Sequence, residues 1–219
     1  MSGLVEDMQV YYARRAPIYD VSMGYDDPAV AATLGGVFAS LRRQLAGRLL
    51  EIACGPGFWT GPVSEVATSI VATDYTESML EQARRKRFDE RIVSLRIADA
   101  YELSNVGGPY DGAFAVDWLA HVPASRMREF LDGVHARLAS DARVVFCDQM
   151  AGPASWTGLY DNERNHLQER MLPDGSTYRV IKHFPSDDEY CALFSPWSTN
   201  VSIERFAECR RVVVGYTVP

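Results

Sequence analysis

A doubly wound α/β fold, its sheet mostly parallel and closed by an antiparallel C-terminal strand pair, is predicted by three features of the 219-residue chain. Short apolar runs alternate with longer amphipathic segments. A glycine turn follows the first of those runs, and two runs near the end lie too close together for a crossover helix. A chain of this length buries a full core in one unit, so a single domain over 1–219 is expected, with an N-terminal helical cap over about 1–47 and an inserted lid over about 150–185.

Taken in order, the cap carries its own aromatic, basic stretch, YYARRAPIYD. Five runs then read as strands: RLLEIA, SIVATD, IVSLRIA, YDGAFAVD and ARVVFCD. They are rich in Val, Ile, Leu and Ala, the composition of strands covered on both faces. Between the last two, Met127, Phe130, Leu131, Val134 and Leu138 recur at helical spacing, and Pro123 stands where a helix can begin. After Asp148 the rhythm breaks into Gly, Pro, aromatic and charged residues without a clean strand-helix unit, which reads as the lid. Ser186 and Glu189 have the spacing of a capping box at the start of a helix. NVSIERFAECRRVVVGYTVP supplies the antiparallel pair.

Composition narrows the function. With 22 Lys+Arg against 29 Asp+Glu the net charge is −7, which argues against a surface that follows a nucleic-acid backbone. No run approaches the length of a membrane span, and the acidic start does not read as a secretory signal, so a cytoplasmic chain without a membrane partner is expected. The four cysteines, Cys54, Cys147, Cys191 and Cys209, form no C-x-x-C pair and suggest neither a zinc ribbon nor a disulfide framework.

LLEIACGPGFWTG, residues 49–61, holds the turn. Gly55 and Gly57 let backbone N–H groups approach a ligand at the positive end of the following helix. Trp59 takes the third position of a Gly-x-Gly-x-Gly pattern, and Thr60 stands where a dinucleotide site would carry glycine. Asp74 ends the second strand about twenty residues on, where a carboxylate can bind two ribose hydroxyls. Glu51 enters the turn and no Lys or Arg flanks it, so a cationic adenosyl amino acid fits better than a pyrophosphate.

These residues resemble the class I S-adenosylmethionine-dependent methyltransferases, especially the compact small-molecule enzymes, over about residues 8–150. LLEIACGPGFWT resembles their first motif, VATDYTESMLEQAR the second, IADAYEL the third and YDGAFAVDWLAHVP the strand and loop that follow. The resemblance implies a Rossmann-like fold with S-adenosyl-L-methionine as cofactor. It implies that Glu51 reaches the amino-acid end, with Gly55 and Gly57 beneath it, and that Asp74 holds the ribose, bordered by Tyr75 and Met79. Asp99 would accept from the adenine amino group beside the backbone of Ala100, and Asp117 and Trp118 would border the methionine portion. Related enzymes fold an aromatic helix over the cofactor, which would bring Tyr11, Arg15 and Tyr19 to its carboxylate end; the alternative is that these residues serve an ordinary first helix.

Methyl transfer from a sulfonium is an in-line displacement that needs alignment and exclusion of water, and a base only where the acceptor carries a proton. His121, a few residues past the fourth strand, is the candidate base; alternatively it anchors the loop before Pro123. Trp59, Asp148, Trp156, Tyr160 and Tyr178 are the candidate substrate contacts, most of them forming an aromatic box for a flat small molecule, with Asp148 alternatively a loop anchor. Asp117 and Asp148 end adjacent strands, but Gln149 stands where a further oxygen ligand would be needed, so no metal is expected.

The expected activity is methyl transfer to an oxygen or nitrogen nucleophile of a small, aromatic or heterocyclic molecule, in natural-product biosynthesis, by a monomer or homodimer. The alternatives are an NAD(P)-dependent oxidoreductase and a non-catalytic S-adenosylmethionine-binding regulatory protein.

Overall fold

The computed structural model describes residues 2–219; Met1, at the start of the expected cap, lies outside the described residues. The cap is four helices: α1 (Ser2–Arg15), α2 (Tyr19–Met23), α3 (Pro28–Thr33) and α4 (Gly35–Gln44). Asp27 caps α3 by accepting from the Ala29 N–H at 2.8 Å, with Pro28 in the first turn, where no donor is needed. The α/β units follow as β1 (Gly47–Glu51), α5 (Thr60–Ser64), β2 (Ala67–Asp74), α6 (Glu77–Arg84), β3 (Val93–Ile97), β4 (Tyr110–Val116), α7 (Met127–His135) and β5 (Leu138–Gln149). A smaller sheet of β6 (Leu159–Tyr160), β7 (His166–Met171) and β8 (Thr177–Ile181) precedes α8 (Asp187–Phe194), and β9 (Ser202–Phe206) and β10 (Arg211–Thr217) complete the main sheet.

Seven strands lie in the order β3-β2-β1-β4-β5-β10-β9. All pairs through β5 are parallel, while β10 runs antiparallel to both β5 and β9. The Rossmann-like fold and its antiparallel closing pair are therefore as the sequence predicts. Because order reverses between β1 and β4, the strand ends diverge there and open a crevice at their C-terminal edge. The glycine turn after β1 and Asp117 after β4 border it.

Each face of the sheet is buried by its own cluster. Phe130, Leu131 and Val134 of α7 pack with Phe146, Phe194 and Tyr216 on one side. Leu41, Val63, Leu80 and Val145 fill the other. A third, smaller cluster joins Met8 and Tyr11 of α1 to Leu167, Val180 and Ile181 of the small sheet. Cap and insertion thus pack on each other.

Two local expectations are corrected. Leu138, expected to continue the α7 stripe, begins β5 instead, because its backbone pairs with Tyr110 of β4. The segment expected to be irregular contains the antiparallel β6-β7-β8 sheet. Its hairpin turns at Asp174-Gly175, where Gly175 takes φ of 84°, a left-handed conformation that glycine adopts freely.

The capping box at α8 is present: Ser186 Oγ accepts from the Glu189 N–H, and the Ser186 N–H donates to Glu189 Oε2 at 2.7 Å. Replacing Ser186→Ala removes half of it and should lower unfolding free energy by about 1 kcal/mol in urea titrations.

Candidate active site

A cleft of about 980 Å³, its solvent mouth included, runs along the C-terminal edge of β1, β2 and β4 beneath α1. Gly55, Asp74, Tyr75, Met79, Asp99, Ala100, Asp117, Trp118, His121 and Tyr19 all line it. Ten of the positions singled out in the sequence thus meet at one cleft.

At its centre the glycine turn is tied to the second strand. Asp74 Oδ2 accepts from the Gly55 N–H at 2.9 Å, and Oδ1 accepts from the Thr76 N–H at 2.8 Å. Each oxygen keeps a free acceptor position for a ribose hydroxyl. Gly55 has φ of 55° and nothing within 4 Å of where a Cβ would stand, so the space above its backbone is open to a ligand. Asp99 Oδ1 accepts from the Tyr101 N–H at 2.9 Å, which holds that carboxylate at the cleft's far end. Trp118 Nε1 is buried without a partner on the wall of the same cleft. An open glycine cradle, two carboxylates and an unused donor fit an adenosyl amino acid; when bound, S-adenosylmethionine supplies an electrophilic methyl carbon on a sulfonium.

Four expected cofactor contacts stand back from the cleft. Glu51 lies beneath the turn, where Thr60 Oγ1 donates to its Oε2 at 2.7 Å, and burial pushes its carboxyl up to about 8. Gly57 is pressed against Phe88, a ring edge 2.9 Å from the position a Cβ would take. Arg15 stacks over the Tyr19 ring at 4.7 Å and donates to Ser22 Oγ. Tyr11 is packed into the cap-insertion cluster beside Tyr178, and its neighbour Tyr12 lines the cleft instead. Val5, Met8, Gln9 and Tyr12 share one face of α1 at helical spacing, a signal present in the sequence.

The expected substrate contacts divide. Asp148 is buried behind the cleft, its Oδ1 without a partner, and burial pushes it up to about 7 against the pull of Lys182. Trp59 is a core residue whose Nε1–H donates to Tyr25 Oη at 3.1 Å. Tyr178 accepts from Arg14 at 2.6 Å on the outer side of α1. Trp156 and Tyr160 flank His166 in a separate hollow with Phe184 and His183. The structure does not gather these residues into one aromatic box at the cofactor cleft.

Behind Asp117 lies a buried network that no motif announced. Asp117 adopts φ of 57°, a left-handed conformation that turns the chain out of β4. Arg211 Nη1 meets its Oδ1 at 2.5 Å, and Arg211 Nη2 donates to Tyr25 Oη at 2.9 Å. Burial alone would raise the Asp117 pKa, but Arg211 overrides it and holds the carboxylate below its ordinary value.

His121 is 6 % exposed, and its Nδ1 lies 2.5 Å from the Ile181 carbonyl oxygen. A carbonyl has no proton to give, so Nδ1 carries the hydrogen. Burial and then the Lys182 charge hold the ring far below its ordinary pKa, so it is neutral and Nε2 is an acceptor. Tyr12 Oη lies 3.0 Å from that Nε2. Lys182 is 2 % exposed and, among the described residues, its ammonium makes no hydrogen bond or ion pair; Asp117 and Asp148 act on it only at longer range.

Two outcomes follow. Asp74→Asn should weaken S-adenosylmethionine binding about tenfold by calorimetry; unchanged affinity would refute the ribose assignment. Glu51 has a folded pKa of about 8 against 4.5 unfolded, so its favourable contribution is full below pH 4.5 and declines as pH rises to about 8. Glu51→Gln should therefore gain stability over the parent chain at pH 8 and not at pH 4.5, read from urea midpoints.

A family model described as a methyltransferase domain matches residues 49–141, the span from the glycine turn to the start of β5. No curated protein matches the chain. Among solved structures, DhpI in complex with SAM and HEP is similar over 100 % of this chain and 99 % of its own, at 28 % identity and a TM-score of 0.79. The Burkholderia thailandensis 1,6-didemethyltoxoflavin-N1-methyltransferase shares the fold at 18 % identity and a TM-score of 0.68, covering 98 % of this chain and 88 % of that one. CalS10, an amino pentose methyltransferase from Micromonospora echinaspora, shares it at 14 % identity and a TM-score of 0.64, over 92 % and 97 %. With that domain match lying on the residues that build the cleft, residues 49–141 form a methyltransferase domain, and the chain as a whole is similar in fold to S-adenosylmethionine-dependent methyltransferases.

Proposed function

We propose that the chain transfers the methyl group of S-adenosylmethionine to an oxygen nucleophile of a small molecule, with His121 as the proton acceptor and the Lys182 charge favouring the developing oxyanion. The observation that carries this reading is Lys182, a buried ammonium with no hydrogen-bond or ion-pair partner among the described residues, beside a neutral histidine on the cleft. A buried unpaired charge is costly, and an acceptor oxygen that becomes negative offsets that cost. A nitrogen acceptor becomes positive on methylation, which the same ammonium and Arg170 disfavour. Neutral His121 carries a lone pair on Nε2 at pH 7 that can take a proton, as a base must. Asp74, Asp99, the Gly55 backbone and Met79 would hold the cofactor, and α1 would exclude water above it.

For the acceptor's body, support comes from Tyr12, Tyr19, Tyr101 and Trp118, which give the cleft an aromatic lining suited to a flat ring. Placement in natural-product biosynthesis rests on the family resemblance.

The test is label transfer from methyl-labelled S-adenosylmethionine to a size-matched panel of phenols, alcohols, carboxylic acids and amines. Oxygen acceptors should be labelled; transfer to amines alone would overturn the reading. Lys182→Met should lower kcat/KM for an oxygen acceptor at least about tenfold, and His121→Gln should lower kcat about a hundredfold or more, with cofactor affinity nearly unchanged in both.

A further inference from the structure

His121 lines the cleft, but its one lone pair is already engaged by a neighbouring side chain. A neutral imidazole has one in-plane lone pair, here on Nε2, and the Tyr12 hydroxyl already occupies it at 3.0 Å. The carbonyl of Ile181 fixes which nitrogen is protonated, so Tyr12 must be the donor in this bond. Its single proton is committed to His121, and its oxygen keeps an acceptor position on a side chain that lines the cleft.

We propose that Tyr12 is a catalytic residue that relays the acceptor's proton to His121. The proposal rests on the reading of His121 as proton acceptor given above. In the step, the acceptor oxygen forms a bond to the methyl carbon as the carbon-sulfur bond breaks, and that electron pair remains on sulfur. The acceptor O–H bond breaks, its proton passes to Tyr12 Oη, and the Tyr12 proton passes to His121 Nε2. The positive charge that began on the sulfonium ends on the imidazole, so charge and atoms balance without a further reactant.

Burial pushes the Tyr12 hydroxyl well above its usual range, so it hands protons on as a phenol and is not itself a phenolate base. The acceptor of that proton is held low by burial and by Lys182 just after β8 and Arg170 from β7, against the opposing pull of Asp117 just after β4. The proton leaves as the carbon-oxygen bond forms, because the Lys182 charge favours the negative character that the acceptor oxygen gains on giving up its proton. The relay also depends on docking of α1. Met8 and Tyr11 seat that helix on Leu167, Val180 and Ile181, and Ile181 is the residue whose carbonyl orients His121.

The test uses the full chain and Tyr12→Phe, which keeps the ring. With ¹⁵N-labelled histidine and S-adenosylhomocysteine bound, the His121 Nε2 resonance should shift toward that of an unbonded nitrogen in the variant while Nδ1 stays put; an unmoved Nε2 resonance overturns the proposal. With a phenol that the parent chain methylates, Tyr12→Phe should lower kcat about a hundredfold and leave S-adenosylmethionine Kd within about twofold. His121→Gln should show a similar loss, and the double variant little more than either alone. An unchanged kcat, or a loss confined to cofactor affinity, overturns the relay. If the parent chain methylates none of the oxygen acceptors, the function proposed above fails, while the nitrogen resonance still decides whether Tyr12 donates to His121.

Discussion

The ion pair of Asp117 with Arg211 is the interaction on which the site's arrangement depends. It joins the end of β4 to the first residue of β10, two strands that are not neighbours, since β5 runs between them. Both side chains are nearly fully buried, so neither can be removed without stranding a charge. Tyr25 closes the network from the cap side by accepting from Arg211 and from Trp59, and its ring stacks on Phe58 with centroids 3.8 Å apart. One guanidinium therefore fixes the path of the chain leaving β4, the seat of the cap, and the wall behind the glycine turn.

From that anchor the electrostatics of the cleft divide into two ends. One end is lined by carboxylates, Asp74 and Asp99, and suits a sulfonium amino acid. Lys182 brings positive charge behind Asp117, and among the described residues no side chain pairs with it. Asp148 does not neutralise it fully, because burial lifts that carboxyl to about 7. A small positive excess at one end and a negative one at the other give the cleft a direction, and bound reactants would be aligned along it.

The sheet and the residues that line the cleft at its strand ends were legible in the sequence because their signals are local. Gly55, Asp74, Asp99 and Asp117 each end or follow a strand, and apolar runs with a turn at their ends are one-dimensional signals. Trp59 was misplaced as a pocket wall because an aromatic beside a glycine turn says nothing about which way its ring faces; it turned inward to bond Tyr25. Lys182 and Arg211 were not foreseen. Their meaning comes from partners 34 to 186 residues away, which only the completed fold brings together. Tyr12 was missed by one position, although the Val5-Met8-Gln9-Tyr12 face was available to helical spacing. The aromatics of the insertion do not form one group, because Tyr178 on β8 faces Tyr11 of α1 while Trp156, ahead of β6, lies against His166 and Phe184.

The antiparallel strand β10 also bears on how the chain assembles. It lies between β5 and β9, yet about sixty residues separate the end of β5 at Gln149 from its own start at Arg211. As the chain emerges from the ribosome, β5 therefore presents an unpaired apolar edge, with Val144, Val145 and Phe146 along it, until β10 arrives. The small β6-β7-β8 sheet and α8 are made during that interval, and α8 sets Phe194 against Phe146. The insertion is thus positioned to shelter a nascent edge as well as to adjoin a finished cleft, and the residue that completes the buried ion pair is delivered by the strand that closes that edge.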